Sequence, residues 1–373
     1  MTTVLTDLLA HQIAARHCPG ALLHVERAGQ LLARLAVGRV RPDDTTAMHV
    51  GLRFRIASLT KPVVSVALLM LADEGRLDLD APVAELLPAL ADLRRPGGVR
   101  PLRPPSVRDL LRHTSGLAYP FEIADAGLRA TWLAAGFNAA LSGLDSGAFL
   151  AALARLPLVA EPGSAFRYGY STDVLGCLIE QLDGLPLGQA LRRRLFDPLG
   201  MQHTGFKLAP GEADTLASAF AEDAGWHASI PAIGQCRPGQ PWMDSGGGGL
   251  LSTLDDYAAF ARMLAAGGVA ADGRRLLSAR AMAELSRDQL PPGVDGPAAY
   301  TGPGFGFGLG LAVRHDWGPA AMPCLPGELV WSGISGTALF VHPGTGWFAL
   351  LFSANMASRM VARLMLRRAL AQG

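Results

Sequence analysis

From Ser58 to Glu74 the sequence is apolar almost all round: Val63, Val64, Val66, Ala67, Leu68, Leu69, Met70 and Leu71 leave no polar face. A helix without a polar face belongs inside a core, so the rest of the chain has to wrap this segment. Gly75 is placed to end it in the left-handed conformation, and Pro62 falls near its first turn, where a missing N–H costs little. At 373 residues, half of them hydrophobic, the chain can bury such a helix in one large domain or two intertwined ones.

What surrounds the helix changes character along the chain. Residues 4–16 read as an amphipathic helix. Ala21 to Val37 reads as a hairpin around the turn Arg27-Ala28-Gly29-Gln30. The middle is mostly helical, with helices expected over Val107–Thr114, Gly147–Arg155, Asp173–Leu182 and Leu187–Phe196, and weakly patterned loops over 118–147 and 209–244. After the Gly246–Gly249 run, Asp255–Leu264 is a capped helix. Strands follow over Leu309–His315, Leu329–Trp331, Thr337–His342 and Trp347–Ser353, and a helix over Met356–Leu370 closes the chain. Strands at both ends bracketing a helical middle imply an α+β fold: an antiparallel sheet flanked by helices, with a helical subdomain inserted. The expected division is a discontinuous sheet domain, 1–75 and 241–373, and a mainly helical subdomain, 76–240, with the active site between them.

Charge excludes some function classes. The net charge is only +1, which gives no electrostatic case for nucleic acid or an anionic membrane surface. The Arg192-Arg193-Arg194 cluster reads as a solvated helix face. No run reaches the roughly 18 apolar residues of a membrane span, and the N-terminus lacks the basic and apolar regions of a secretory signal; a cytoplasmic protein is expected. Cys18, Cys177, Cys236 and Cys324 lie far apart, as scattered reduced thiols do. The histidines show no metal-binding spacing, so neither metal nor cofactor is expected.

The head of the apolar helix carries chemistry. Ser58-Leu59-Thr60-Lys61 puts serine and lysine three residues apart, on one helical face. A serine hydroxyl needs a neighbouring base to become a nucleophile. Lysine can be that base when burial or positive charge lowers its pKa. Only two of the 33 basic residues are lysine, Lys61 and Lys207; arginine cannot be deprotonated, so the lysine kept at this position is informative. With 18 serines and two lysines, S-x-x-K arises by chance only about 0.1 times. Backbone N–H groups at the helix start point at the space above Ser58, ready to stabilise an oxyanion. Gly169-Tyr170-Ser171-Thr172-Asp173 and Gly333-Ile334-Ser335-Gly336-Thr337 each miss the last glycine of a G-x-S-x-G elbow, which argues against an α/β-hydrolase.

These residues carry a resemblance. Phe54-Arg55-Ile56-Ala57-Ser58-Leu59-Thr60-Lys61-Pro62, followed by Leu77-Asp78-Leu79-Asp80-Ala81-Pro82-Val83, resembles the serine β-lactamase-like and penicillin-binding-protein superfamily. The similarity is strongest to its family VIII carboxylesterases, relatives of class C β-lactamases. Leu110-Leu111-Arg112-His113-Thr114-Ser115-Gly116-Leu117, Phe166-Arg167-Tyr168 with Asp173-Val174-Leu175-Gly176, Pro198-Leu199-Gly200-Met201, and Trp331-Ser332-Gly333 with Gly336-Thr337 agree in order.

The resemblance implies a β-lactamase/transpeptidase-like fold and a catalytic set of Ser58, Lys61 and Tyr168. Tyr168 stands at the esterase spacing before the Leu175-Gly176 pair, with Tyr170 as the rival because Tyr170-Ser171 also looks like a motif start. Lys61 and Tyr168 would share the proton traffic as a coupled unit. The third motif, K-T-G in lactamases, is Trp331-Ser332-Gly333 here, which makes the N–H groups of Ser58 and Ile334 the implied oxyanion hole. Trp331 replaces the lysine that attracts a β-lactam carboxylate, and Tyr170 replaces an asparagine that binds its side-chain amide. Tyr170, Trp331, Ser332 and Gly333 are thus candidate substrate contacts, in a site favouring neutral groups. His113 tempts a triad reading, but it lies in a stretch that this superfamily uses structurally.

The expected function is a serine carboxylesterase that hydrolyses neutral, short-chain esters through a Ser58 acyl-enzyme, its partner a small-molecule ester. The alternatives are a β-lactamase, a D-amino-acid peptidase or amidase, or an acyltransferase on the same scaffold, and, further off, a non-catalytic penicillin-binding-like receptor.

Overall fold

The computed structural model describes residues 2–43, 45–137, 143–209, 211–233 and 241–371. Segments from opposite ends of the chain meet in one antiparallel sheet of seven strands. Its N-terminal hairpin is β1 (Gly20–Arg27) and β2 (Gln30–Gly38), closed by Ala28 and Gly29, both at positive φ as a tight hairpin turn requires. A short pair, β3 (Phe54–Arg55) with β4 (Leu251–Ser252), stands apart from it. The C-terminal strands are β5 (Phe305–Phe307), β6 (Ala312–Arg314), β7 (Leu329–Ser332), β8 (Ala338–His342) and β9 (Trp347–Ser353). The order is β2-β1-β9-β8-β7-β6-β5. β1 lies antiparallel to β9, from Ala21 opposite Ser353 to Arg27 opposite Trp347. This is the α+β, antiparallel arrangement that the alternation of strands and helices implies.

β1 is buried from Gly20 through Glu26, on both sets of alternating side chains, because helices cover the sheet. The terminal helices, Thr2–Ala14 and Arg359–Leu370, pack on each other, the first against β1 and β2, while Leu254–Ala265 packs on β1, β8 and β9. Thr253 caps that last helix, its hydroxyl accepting from Asp256 N–H at 3.3 Å. The apolar helix runs from Thr60 to Asp73 and is buried along most of its length; Gly75 follows it at φ 72°. It starts two residues later than Ser58, since Ala57–Leu59 forms a separate 3₁₀ turn.

Three other expectations differ in detail. The strand expected over Leu309–His315 shortens to β6, because Gly310, at φ 97°, presses so close to the apolar helix that a Cβ there would meet Ser65 Oγ at 2.2 Å. β6 pairs with β5, a three-residue strand too short to register in the sequence. The weak stretch 118–147 contains a helix, Ala126–Ala134, capped by Asp125; residues 138–142, like Cys236, lie outside the described residues. Arg194 is not solvated: it is buried, and its guanidinium donates to Asp183 and Glu74, each at 2.6 Å. Among the described residues no helix is long and apolar enough to cross a membrane.

Candidate active site

Ser58 lies in the 3₁₀ turn ahead of the apolar helix, half-buried, directly after Ala57 at φ 47°. A left-handed non-glycine residue costs on the order of 1 kcal/mol, and such strain clusters where a side chain has to be aimed. Lys61, one turn on, is fully buried. Its ammonium nitrogen has three neighbours: the Gly247 carbonyl at 2.6 Å, Tyr119 Oη at 3.2 Å and Ser58 Oγ at 3.5 Å. Tyr168 donates its hydroxyl to Ser58 Oγ at 2.7 Å, and its ring lies 4.5 Å from Lys61 Nζ. The structure thus brings Ser58, Lys61 and Tyr168 together.

Tyr168 is held from both sides. Its carbonyl accepts from Tyr119 N–H at 2.9 Å, and the preceding Arg167 N–H donates to the His113 carbonyl at 2.8 Å. His113 sits at φ 57°, wholly buried among Phe166, Tyr168 and Phe307. Burial, aided by the Lys61 charge, pushes its imidazole well below the usual range, so it is neutral packing against Tyr168. Its turn is tied by Asp109, which accepts from Thr114 Oγ1 at 2.9 Å.

The Trp331-Ser332-Gly333 stretch runs along the end of β7 beside the Ser58 turn. Thr337 Oγ1 donates to the Ile56 carbonyl at 3.1 Å, and a Cβ on Gly333 would lie 2.3 Å from that same oxygen. This close approach, open only to glycine, sets Ile334 next to the turn. Ile334 lies outside the strands, and its N–H meets no backbone carbonyl among the described residues; Ser58 N–H belongs to a first turn, where intrahelical acceptors are lacking. Trp331 is only 5 % exposed, its ring packed on Tyr168, Tyr300 and Phe307, so it forms a wall behind Tyr168; Ser332 and Ile334 carry the accessible surface of this stretch. Beneath it, the buried Arg363 donates to the carbonyls of Gly333, at 2.5 Å, and Thr337, at 3.2 Å; burial lowers its pKa to about 9.

Tyr170 requires a correction. As a candidate substrate contact it should face the site, yet it is 1 % exposed and enclosed by Tyr119, Trp132, Phe137 and Phe149. Being N-cap of the Ser171–Asp183 helix turns its ring into the core. Tyr119 reaches Lys61 instead. Burial pushes its phenol well above the ordinary value, with Asp173 adding to the effect. Tyr119 and the Gly247 carbonyl are the neighbours that sequence reasoning missed. Among the described residues no cluster of side chains could hold a metal ion.

The chain is 33 % identical over 354 residues to esterase EstB of Burkholderia gladioli, covering 91 % of this chain and 86 % of that one. It is 30 % identical over 322 residues to acyltransferase calJ of Penicillium decumbens, covering 77 % and 72 %. A solved structure described as EstCE1, a hydrolase with promiscuous acyltransferase activity, superposes with a TM-score of 0.84 at 28 % identity, covering 98 % of this chain and 97 % of that one. The beta-lactamase family profile matches residues 5–372. With the sheet, the serine–lysine helix and this match across its length, the chain belongs to the beta-lactamase family, among its serine hydrolases and acyltransferases.

Proposed function

We propose that the protein is a carboxylesterase that hydrolyses neutral, short-chain esters through an acyl-enzyme on Ser58. The observation that carries this reading is the 2.7 Å contact between Tyr168 Oη and Ser58 Oγ, backed by Lys61 Nζ at 3.5 Å.

A carbonyl oxygen can only accept, so Lys61 donates to Gly247, and its other two protons have acceptors in Tyr119 and Ser58. The Lys61 amino group and the Tyr168 hydroxyl both reach Ser58 Oγ and take up its proton as a coupled pair. Ser58 Oγ attacks the ester carbonyl carbon while its proton passes to the Tyr168–Lys61 pair. The carbonyl oxygen, now an oxyanion, meets the N–H groups of Ser58 and Ile334. When the tetrahedral intermediate collapses, the C–O bond to the alcohol breaks and the proton goes to the departing alkoxide. Water repeats the sequence on the acyl group and releases the acid.

The preference for neutral esters is supported by what stands where a lactamase lysine would: Trp331, closed off by aromatic rings. The names of esterase EstB and EstCE1 agree with hydrolysis. Acyl transfer to an alcohol is the second reading, favoured by the acyltransferase relative and by the activity stated for EstCE1; it differs only in what attacks the acyl-enzyme. The test is turnover of p-nitrophenyl esters from acetate to palmitate, with and without an added alcohol. Activity should peak at short chains and vanish in Ser58→Ala. Retention of more than a few per cent of the rate by that variant would overturn the reading.

A further inference from the structure

Asp173 lies in the first turn of the Ser171–Asp183 helix, 2 % exposed. Its Oδ1 accepts from Ser245 Oγ at 2.6 Å and from Gly247 N–H at 3.0 Å. The same glycine presents its carbonyl to Lys61 Nζ at 2.6 Å. A Cβ on Gly247 would stand 2.3 Å from Asp173 Oδ2 and 3.0 Å from Tyr119 Oη. Only glycine therefore lets the carboxylate and the phenol close around this residue while its carbonyl reaches the ammonium. A carboxylate is costly to bury unless it is paired and hydrogen-bonded, and the acyl-transfer steps leave this one without a task.

The groups around it define its partner. Burial pushes the Asp173 carboxyl up, and Lys61, Ser245 and Gly247 act against that. Among the described residues, Lys61 is the cation whose charge acts on Asp173. The other titratable groups facing Asp173 or Lys61 among the described residues are Tyr119, Tyr168, Tyr170, Cys177 and the neutral His113. We propose that Asp173 is a positioning residue: it holds Gly247 so that its carbonyl fixes the Lys61 ammonium beside Ser58 and Tyr168, and it balances that ammonium's charge. This rests on the reading of Ser58, Lys61 and Tyr168 as the reacting set.

Asp173→Asn separates charge from shape, since an amide oxygen can still accept from Ser245 and Gly247. Removing a negative charge beside the coupled reacting set makes it easier for that set to lose protons. Both limbs of the kcat/KM profile for p-nitrophenyl butyrate should move toward acid by about one unit, kcat should fall about tenfold at neutral pH, and KM should change less than about threefold. Ser245→Ala keeps the charge but loosens its seat; kcat should fall about three- to tenfold, with KM held. That variant decides the matter if Asp173→Asn does not fold.

A profile superposed on wild type, or a rate loss with unshifted limbs and a parallel loss of thermal stability, overturns the proposal. So does a Ser245→Ala variant with wild-type kcat. Fluorophosphonate labelling of the wild type separates the two levels: failure to label Ser58 sinks the acyl-enzyme reading itself, whereas labelling with unshifted limbs sinks only the role of Asp173.

Discussion

Gly333 approaches Ile56 so closely that a Cβ on it would lie 2.3 Å from the Ile56 carbonyl oxygen and 2.3 Å from Thr337 Oγ1. The end of β7 and the turn bearing Ser58 are thereby locked at one spacing, and that spacing sets how far apart the N–H groups of Ser58 and Ile334 stand. Both atoms that a side chain would meet belong to the lock, so neither can give way without opening it. Gly333→Ala should cost about 1–3 kcal/mol of stability and reduce kcat/KM on p-nitrophenyl butyrate by about a hundredfold or more. Thermal melts and ester kinetics on the same preparation check this; a variant with wild-type kcat/KM would remove Ile334 from the proposed oxyanion hole.

The three tyrosines near Lys61 should separate by position. The Tyr168 hydroxyl bonds Ser58 Oγ, the Tyr119 hydroxyl lies against Lys61 Nζ, and Tyr170 is sealed behind Tyr119. Replacement by phenylalanine should therefore cost Tyr168 about a thousandfold in kcat or more and Tyr119 about tenfold. Tyr170→Phe should lose less than about threefold in kcat and about 1 kcal/mol of stability. A larger kcat loss at Tyr170 than at Tyr168 would exchange their roles and with them the alignment.

What the sequence made legible was what the backbone fixes locally. Ser58 and Lys61 are three residues apart at a helix start, so their meeting follows from the i, i+3 spacing that a 3₁₀ turn shares with an α-helix, and the hairpin at Ala28-Gly29 follows from turn chemistry. The ordered motifs supplied Tyr168, which lies 110 positions from Ser58 and which no local rule would bring there. Tyr119 and Gly247 stayed hidden for two reasons: each acts from a loop, and Gly247 acts through its carbonyl, which every residue possesses. Tyr170 misled because residue type alone does not tell an aromatic wall from an aromatic core. Arg194 misled in the same way, for a charged run exposes a buried member only when its partners, here Asp183 and Glu74, are known.

Asp109, which ties the turn bearing His113, gives the fold a pH dependence of its own. Burial pushes its carboxyl up, but hydrogen bonds from Arg103, Ser106, Arg112 and Thr114 outweigh that and hold it at about 2. A carboxyl held below its unfolded value contributes stability that is whole above the ordinary value of 3.8 and is lost as the pH falls toward 2. The contribution is about 2 kcal/mol. Asp109→Asn should thus be less stable than wild type by about 2–4 kcal/mol at pH 7, and the gap should close as the pH falls below about 3. Urea titrations of both proteins across that range test it. A gap independent of pH would mean that the amide's poorer fit, and not the lost charge, destabilises the variant.

Short-chain esters should be hydrolysed far better than β-lactams, with kcat/KM for nitrocefin at least about a hundredfold lower than for p-nitrophenyl butyrate. A β-lactam brings a carboxylate, and where a lysine would meet it the chain has Trp331, walled in by Tyr168, Tyr300 and Phe307. A missing charge-assisted hydrogen bond forfeits about 1.5–3 kcal/mol, or one to two powers of ten in rate. Tyr170 supplies no amide to grip the acylamino side chain, and its burial removes it from the site's surface altogether. Arg363 lies beneath the Trp331-Ser332-Gly333 stretch, but its guanidinium is spent on the Gly333 and Thr337 carbonyls and is shielded from solvent. Turning it toward a β-lactam would break the contacts that hold the end of β7 against the Ser58 turn. Both substrates should be measured on one batch of enzyme, with Ser58→Ala as the blank. Comparable efficiency on the two would show that Arg363 can leave its carbonyls at little cost, and would favour a lactamase over an esterase.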